Sequence, residues 1–317
     1  MSAPVAAIDC GTNSIRLLIA RRDEATGTVV DLERRLEMVR LGLGVDRTGR
    51  FDPVAVARTL EAARSYRALL AHHGVDVQDL RFVATSATRD ASNRADFIDG
   101  IHEILGVTPE VISGAEEAAL SFRGAVSTIA DLPAGPRLVV DIGGGSTELV
   151  LGDGIPTHRI SLDMGSVRLT ERHLVTDPPT TAEIEAATAE IDVLLDGAAA
   201  EVPLEQAVSL VGVAGTVTTV TAVASGIQDY RPDVTHGASL TIDEVGETCR
   251  TLLAETRAER SLRKVIHPGR IDVIGAGALI WARIVARVSE AAGIASARTS
   301  EHDILDGIAL DLLDRVP

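Results

Sequence analysis

Two stretches of the chain repeat one pattern: an apolar run ending in aspartate, a short polar turn, then a second apolar run. The first is Val5 to Asp9, then Gly11-Thr12-Asn13-Ser14, then Ile15 to Ala20, interrupted only by Arg16. The second is Arg137 to Asp141, then Gly143-Gly144-Gly145-Ser146, then apolar residues beyond Glu148. Each predicts a strand, a tight turn and a strand. Asp9, Gly11 and Ser14 each have a counterpart 132 positions on, at Asp141, Gly143 and Ser146. The pattern reads as an internal duplication: two related lobes with a cleft between them, both polar tips at the cleft, where ligands commonly bind.

Between and after these hairpins the apolar spacing alternates between periods of two and 3.6. Helical spacing runs over 53–73, with Asp52 as N-cap and Pro53 in the first turn. Residues 80–84 predict a strand followed by a polar loop to Asp90, 94–105 a helix, 110–112 a strand, and 114–126 a helix. Met38 and Leu41-Gly42-Leu43-Gly44 read as a strand and turn without assigned chemistry, although backbone amides there could line a cleft. Pro and Gly at 132–135 mark a linker. Beyond it, helices are expected at 181–197, from Thr216 to about 224, and at 243–255, 271–289 and 302–314, with strands at 209–213 and 295–299. Such alternation predicts an α/β fold. We expect residues 1–131 as one lobe, completed by the C-terminal helix at 302–317, and 132–301 as the other.

Composition narrows the function classes. Of the 317 residues, 45% are apolar, enough for a full core, but only 2% are aromatic. Few aromatics leave little to stack on single-stranded nucleic acid. A net charge of -16 without a long basic run disfavours nucleic-acid binding. A polyanionic substrate would then need a locally basic cleft, backbone N–H groups and a metal. No run of about 18 or more apolar residues is present, so no membrane span is expected. Cys10 and Cys249 are far apart and fit a reducing cytoplasm rather than a disulfide framework. No Cys/His spacing suggests zinc.

The chemistry concentrates in a few segments. Gly143, Gly144 and Gly145 lack Cβ atoms, so their N–H groups can approach an anion closely. Ser146 and Thr147 add hydroxyls, and Asp141 and Glu148 flank the turn as oxygen ligands for a hard cation. Alternation along a strand leaves open whether these carboxylates share a face. The bland alternative is a hairpin turn that needs glycine. In Ser113-Gly114-Ala115-Glu116-Glu117, Ser113 and Glu116 form a capping box, with Glu116 reaching back to the Ser113 N–H. Glu117 has no such task; in the first helical turn it could take a proton from water, or be a solvated surface residue. Thr85-Ser86-Ala87-Thr88-Arg89 follows a strand and suits phosphate oxygens, although capping explains its hydroxyls equally well. Arg16 and Arg94 are further arginine candidates. Gly212-Val213-Ala214-Gly215-Thr216 reads as a second phosphate turn or as close helix packing onto a strand.

Taken together, five segments resemble the exopolyphosphatase and guanosine pentaphosphate phosphatase family: Ile8 to Ser14, Ala84 to Arg89, Ile112 to Ala118, Val140 to Glu148, and Gly212 to Thr216. The resemblance covers nearly the whole chain. It implies two ribonuclease H-like lobes of the actin/Hsp70/sugar kinase superfamily. The Ser-Gly-x-Glu-Glu-Ala element separates the family from the sugar kinases. The family's catalytic base falls on Glu117 and its arginine on Arg89. Its metal-binding and phosphate-binding positions fall on Asp141, Gly143, Ser146 and Glu148. We therefore expect phosphate contacts from Asp9, Gly11, Thr12, Asn13, Ser14, Arg16, Ser86, Arg89, Gly143, Gly144, Gly145, Ser146, Gly215 and Thr216, with Mg²⁺ held by Asp141 and Glu148. The implied activity is Mg²⁺-dependent removal of the terminal phosphate from inorganic polyphosphate by a cytoplasmic homodimer. Longer members carry a helical C-terminal extension of the HD type, absent here, which suggests preference for shorter chains. Many members have Arg-Glu-Gly where this chain has Leu305-Asp306-Gly307, so a positive contact is expected to be missing there.

Three other functions compete. The same chemistry on pppGpp needs a guanine pocket for which the sequence offers few aromatics. An ATP-dependent small-molecule kinase of the same fold would bind nucleotide at Gly212 to Thr216. A non-catalytic polyphosphate or nucleotide sensor would bind without turnover.

Overall fold

The two apolar–turn–apolar patterns both close as hairpins, and each seeds one sheet. The computed structural model describes residues 3–315; residues 1–2 and 316–317, at the ends of the expected first lobe, lie outside the described residues. Two units emerge: one comprises the chain to Gly124 together with the segment from Ile304, and the other runs from Ala125 to Asp303.

In the first unit, β1 (Val5–Cys10) pairs antiparallel with β2 (Ser14–Arg22), and β2 with β3 (Val29–Met38). After α1 (Val45–Thr48) and α2 (Pro53–His73) the chain returns as β4 (Leu80–Ala84), parallel to β1. Then come α3 (Ser86–Asp90), α4 (Arg94–Leu105), β5 (Glu110–Val111) and α5 (Gly114–Val126). The sheet order is β3-β2-β1-β4-β5. The second unit repeats that order. Its β6 (Arg137–Ile142), β7 (Thr147–Asp153) and β8 (Ile155–Leu162) form the antiparallel meander, followed by α6 (Ser166–Arg172) and α7 (Thr181–Ala199). Next is β9 (Ser209–Val213), parallel to β6, then α8 (Ala214–Ala224), α9 (Pro232–Thr235), β10 (Ser239–Thr241), α10 (Ile242–Ala254), α11 (Arg257–Ser261), α12 (Ile274–Ala292) and β11 (Ser296–Thr299). Its sheet reads β8-β7-β6-β9-β11, with β10 added at the edge. The final helix, α13 (Ile304–Leu313), belongs to the first unit.

Most expected elements form for the reasons read from the sequence. Asp52 accepts a hydrogen bond from the Val54 N–H at 2.7 Å and starts α2; Gly74, at φ 66°, ends it in the left-handed conformation. Two readings change. The segment Ser86 to Asp90 is a short helix rather than a loop. Met38 does end a strand, and Leu41 to Gly44 is the turn into α1. The capping box at Ser113 is only half built. Ser113 Oγ does accept from the Glu116 N–H at 3.2 Å, but the Glu116 carboxylate accepts from Arg81 Nη2 at 2.7 Å. A buried guanidinium outcompetes a helix-end N–H for a carboxylate because its bond is charge-assisted. Two further elements, β8 and α6, are mixed in polarity and are not expected from the sequence.

Few aromatics suffice for the first core. Phe97 lies edge-on to both Phe51 and Phe82, at centroid distances of 5.9 and 6.2 Å. In the second unit Trp281 of α12 is fully buried and packs where Gly212 of β9 lacks a side chain; a Cβ there would lie 2.8 Å from the indole. Gly212 is therefore explained by packing. Helix α13 docks by a similar approach: a Cβ on Gly307 would lie 2.0 Å from the Leu120 carbonyl oxygen of α5. Around it, Arg81 ion-pairs with Glu110, Glu116 and Asp311, and Arg123 with Asp311 and Asp314. Gly307→Ala should force α13 away from α5 and cost about 2–3 kcal/mol, read as a lowered urea midpoint with an unchanged slope.

Candidate active site

The first unit's polar residues are organised by the hairpin tip between β1 and β2. The Gly11 N–H closes the turn on the Ser14 carbonyl at 3.0 Å. Asp9 and Arg16 are direct cross-strand partners, and the buried Asp9 carboxylate accepts from Arg16 Nη2 at 2.6 Å and Nε at 3.1 Å. The segment after β3 clasps the tip: the Gly42 N–H donates to Thr12 O at 2.8 Å, and the Val39 and Arg40 N–H groups donate to Asn13 O at 3.1 and 2.8 Å. Gly42 can be nothing larger, because a Cβ would lie 2.4 Å from Thr12 Cγ2. From the start of α3, just after β4, the Ser86 hydroxyl shares a 3.1 Å hydrogen bond with that of Thr12.

Helix α3 carries Arg89 to Glu117 at the start of α5. Arg89 Nη1 donates to Glu117 Oε2 at 2.8 Å and to the Ile112 carbonyl at 3.0 Å. Glu117 is buried rather than a solvated surface residue. Burial pushes its carboxyl up to about 7; the Arg89 guanidinium opposes that rise, the Asp9 carboxylate adds to it, and the Thr85 hydroxyl lowers it slightly. The helix position alone favours an ionised carboxylate, but desolvation outweighs it here.

The second unit repeats the turn with different charges. The Gly143 N–H closes on Ser146 O at 3.0 Å, as Gly11 closes on Ser14. Asp141 and Glu148 are direct cross-strand partners, like Asp9 and Arg16, so their side chains leave the sheet on the same face. That settles the point alternation left open. The salt-bridged acid–base pair of the first hairpin thus becomes two buried carboxylates in the second. Glu148 Oε1 accepts from the Ser161 hydroxyl at 2.7 Å. Like charges directly opposite destabilise a strand pair, which a divalent cation would offset. Among the described residues no group of three or more His, Cys, Asp or Glu side chains is arranged to hold an ion. The pair nevertheless suits Mg²⁺, which usually binds through one or two carboxylates and completes its shell with water and phosphate oxygens.

Gly215 and Thr216 stand in the first turn of α8. The turn begins with Ala214 at φ 66°, a left-handed conformation that costs a non-glycine residue about 1–3 kcal/mol and is commonly kept where function needs it. The Arg270 guanidinium lies against Gly215, where a Cβ would come within 2.2 Å of Cζ. Asp306 is buried and held by Arg34, with Nη2 to Oδ1 at 2.5 Å; in this position a carboxylate ties α13 to β3.

Sequence reasoning missed the residues that brace the turns. They are Gly42 and the Val39–Arg40 amides in one unit, and Gly165, Arg168 and Ser161 in the other. The signal in the sequence is a glycine shortly after each third strand, but the mixed polarity of β8 hides the strand that precedes Gly165.

The residues around these two turns belong to a phosphate-handling protein: the family model described as the Ppx/GppA phosphatase family matches residues 18–312, and the chain belongs to that family. Over 315 residues the chain is 47% identical to Exopolyphosphatase 2 of Mycobacterium tuberculosis, a match spanning 97% of this chain and 98% of that protein. Among solved structures, an exopolyphosphatase-like protein superposes with a TM-score of 0.94 at 50% identity, covering 99% of this chain and all of the other (100%). An exopolyphosphatase from Cytophaga hutchinsonii superposes with a TM-score of 0.86 at 27% identity, with 99% of each chain covered. The two-unit α/β fold expected from the sequence is shared with these relatives.

A carboxyl whose folded pKa is raised adds stability while protonated and loses it as pH rises through the folded value. For Glu117 the window runs from the ordinary value of 4.5 to about 7. Urea unfolding at pH 5 and pH 8 should therefore show the native protein losing on the order of 3 kcal/mol more than Glu117→Gln across that interval. Equal losses in both proteins would place Glu117 in water.

Proposed function

We propose that this chain is an exopolyphosphatase that removes the terminal phosphate of inorganic polyphosphate, with Glu117 as the general base. The observation that carries this reading is the buried Glu117–Arg89 pair, whose carboxyl is raised to about 7. A general base works best when its pKa lies near the working pH. A surface glutamate would be too weak a base, and a fully paired one weaker still.

The chain's own groups divide the work as follows. In the second unit the N–H groups of Gly144, Gly145 and Ser146, with the Ser146 hydroxyl, and the Gly215–Thr216 turn take phosphate oxygens. In the first unit the hairpin tip does the same. Arg89 Nη1 is engaged by Glu117 and Ile112, while its Nε and Nη2 donors have no partner among the described residues and are available to a phosphate oxygen. Glu117 orients a water, accepts its proton as the water oxygen attacks phosphorus, and the P–O bond to the shortened chain breaks in line. Asp141 and Glu148 would hold Mg²⁺, which when bound neutralises phosphate charge. Positioning and charge stabilisation dominate such transfers, so preformed backbone donors matter more than any covalent intermediate.

Two outcomes test the reading. Glu117→Gln should bind polyphosphate within a few-fold of the native protein in calorimetry. Its phosphate release should fall by about 10²–10⁴-fold, the usual contribution of a general base. In the native protein, kcat/KM should rise with pH and level off above about 7, since only the ionised carboxylate accepts a proton. Phosphate release from polyphosphates of graded length, pppGpp and ATP in parallel identifies the donor. Release from pppGpp alone would replace the polyphosphate reading, and binding without release from any of them would leave a sensor.

A further inference from the structure

The glycine loop is held from behind, and its carbonyls are what is held. The Ser166 N–H donates to Gly143 O at 3.0 Å; the Val167 and Arg168 N–H groups donate to Gly144 O at 2.9 and 3.1 Å. Gly145 O accepts from Arg168 Nε at 2.7 Å. The donors at the start of α6 are thus spent on the loop and are not left for a ligand. Gly165 permits the contact, since a Cβ there would lie 2.4 Å from the Gly144 carbonyl.

A trans peptide is planar, with its C=O and N–H pointing in opposite directions. Fixing the carbonyls of Gly143, Gly144 and Gly145 toward α6 therefore turns the N–H groups of Gly144, Gly145 and Ser146 the other way. Those three N–H groups have no hydrogen-bond partner among the described residues. Successive N–H groups on one side form an anion-binding concavity. Glycine is otherwise the residue most able to abandon such a conformation. The first unit uses the same device: the segment after its third strand takes the carbonyls of Thr12 and Asn13, counterparts of Gly144 and Gly145.

We infer that Arg168 is a positioning residue: its Nε bond to Gly145 O locks the last peptide of the loop, so that the Ser146 N–H stays aimed at a phosphate oxygen. The inference rests on the phosphate-binding role proposed above. It separates donor from charge, because Gln carries its side-chain nitrogen at the same chain position as Arg Nε, whereas Lys keeps the charge and puts a carbon there.

The experiment compares Arg168→Gln, Arg168→Lys and Arg168→Met, using inorganic triphosphate in calorimetry and ¹⁵N relaxation of the Gly144, Gly145 and Ser146 amides without ligand. Arg168→Gln should keep the order of these amides and bind triphosphate within about 3-fold of the native protein. Arg168→Lys and Arg168→Met should lose that order and bind about 10-fold more weakly, the size expected for one hydrogen bond. Native-like binding by Arg168→Lys with weak binding by Arg168→Gln would overturn the inference and make Arg168 a direct charge contact. Unchanged amide order in all three variants would also overturn it. If the native protein released no phosphate from polyphosphate, the proposed activity would fall, while the ligand-free amide order would still decide the clasp.

Discussion

The structure depends on where the carbonyls of two tight turns point. A hairpin tip built from glycine, serine and threonine has no intrinsic reason to hold its N–H groups on one side. Here the segment following the third strand of each unit supplies backbone donors to the tip's carbonyls. Planarity of the peptide does the rest. The order of the strands, the third strand's length and the close approach of Gly42 and Gly165 all serve that contact. Backbone N–H groups held on one side in this way present positive dipoles on a chain whose net charge is -16.

The duplicated hairpins have diverged in charge rather than in shape. The turns close through the same hydrogen bond at 3.0 Å, and the first aspartate occupies the same register in each. Opposite that aspartate, one unit places Arg16 and the other Glu148. The first arrangement neutralises itself and holds its own geometry. The second leaves two carboxylates side by side, which water alone stabilises poorly in a buried setting and a hard cation stabilises well. One fold element thus yields a salt-bridged pair in one place and a pair of like charges in the other.

Glu117 illustrates how far local signals reach. Its place in the first turn of α5 is legible from Ser113 and the apolar spacing, and the helix dipole then argues for a low pKa. Burial, which the local sequence does not encode, reverses the sign. Glu116 shows the converse: local spacing assigns it to a capping box, but Arg81, 35 positions earlier, takes its carboxylate. Asp306 has no partner legible in its neighbours, and Arg34, 272 positions away, holds it. For Glu116 and Asp306 a charged group far along the chain decides the contact, and for Glu117 burial decides the charge.

The sequence by itself determined the hairpins, nearly all the longer helices, the duplication, and the family to which the chain belongs. Those features follow from periodicity, turn residues and caps, which act over a few neighbours along the chain. Only the tertiary structure decided that Asp141 and Glu148 share a face, that Glu117 is buried against Arg89, and that Arg168 and Gly165 brace the glycine loop. Strand register, burial and the approach of two backbones are set by residues far apart in the chain, and no local pattern records them.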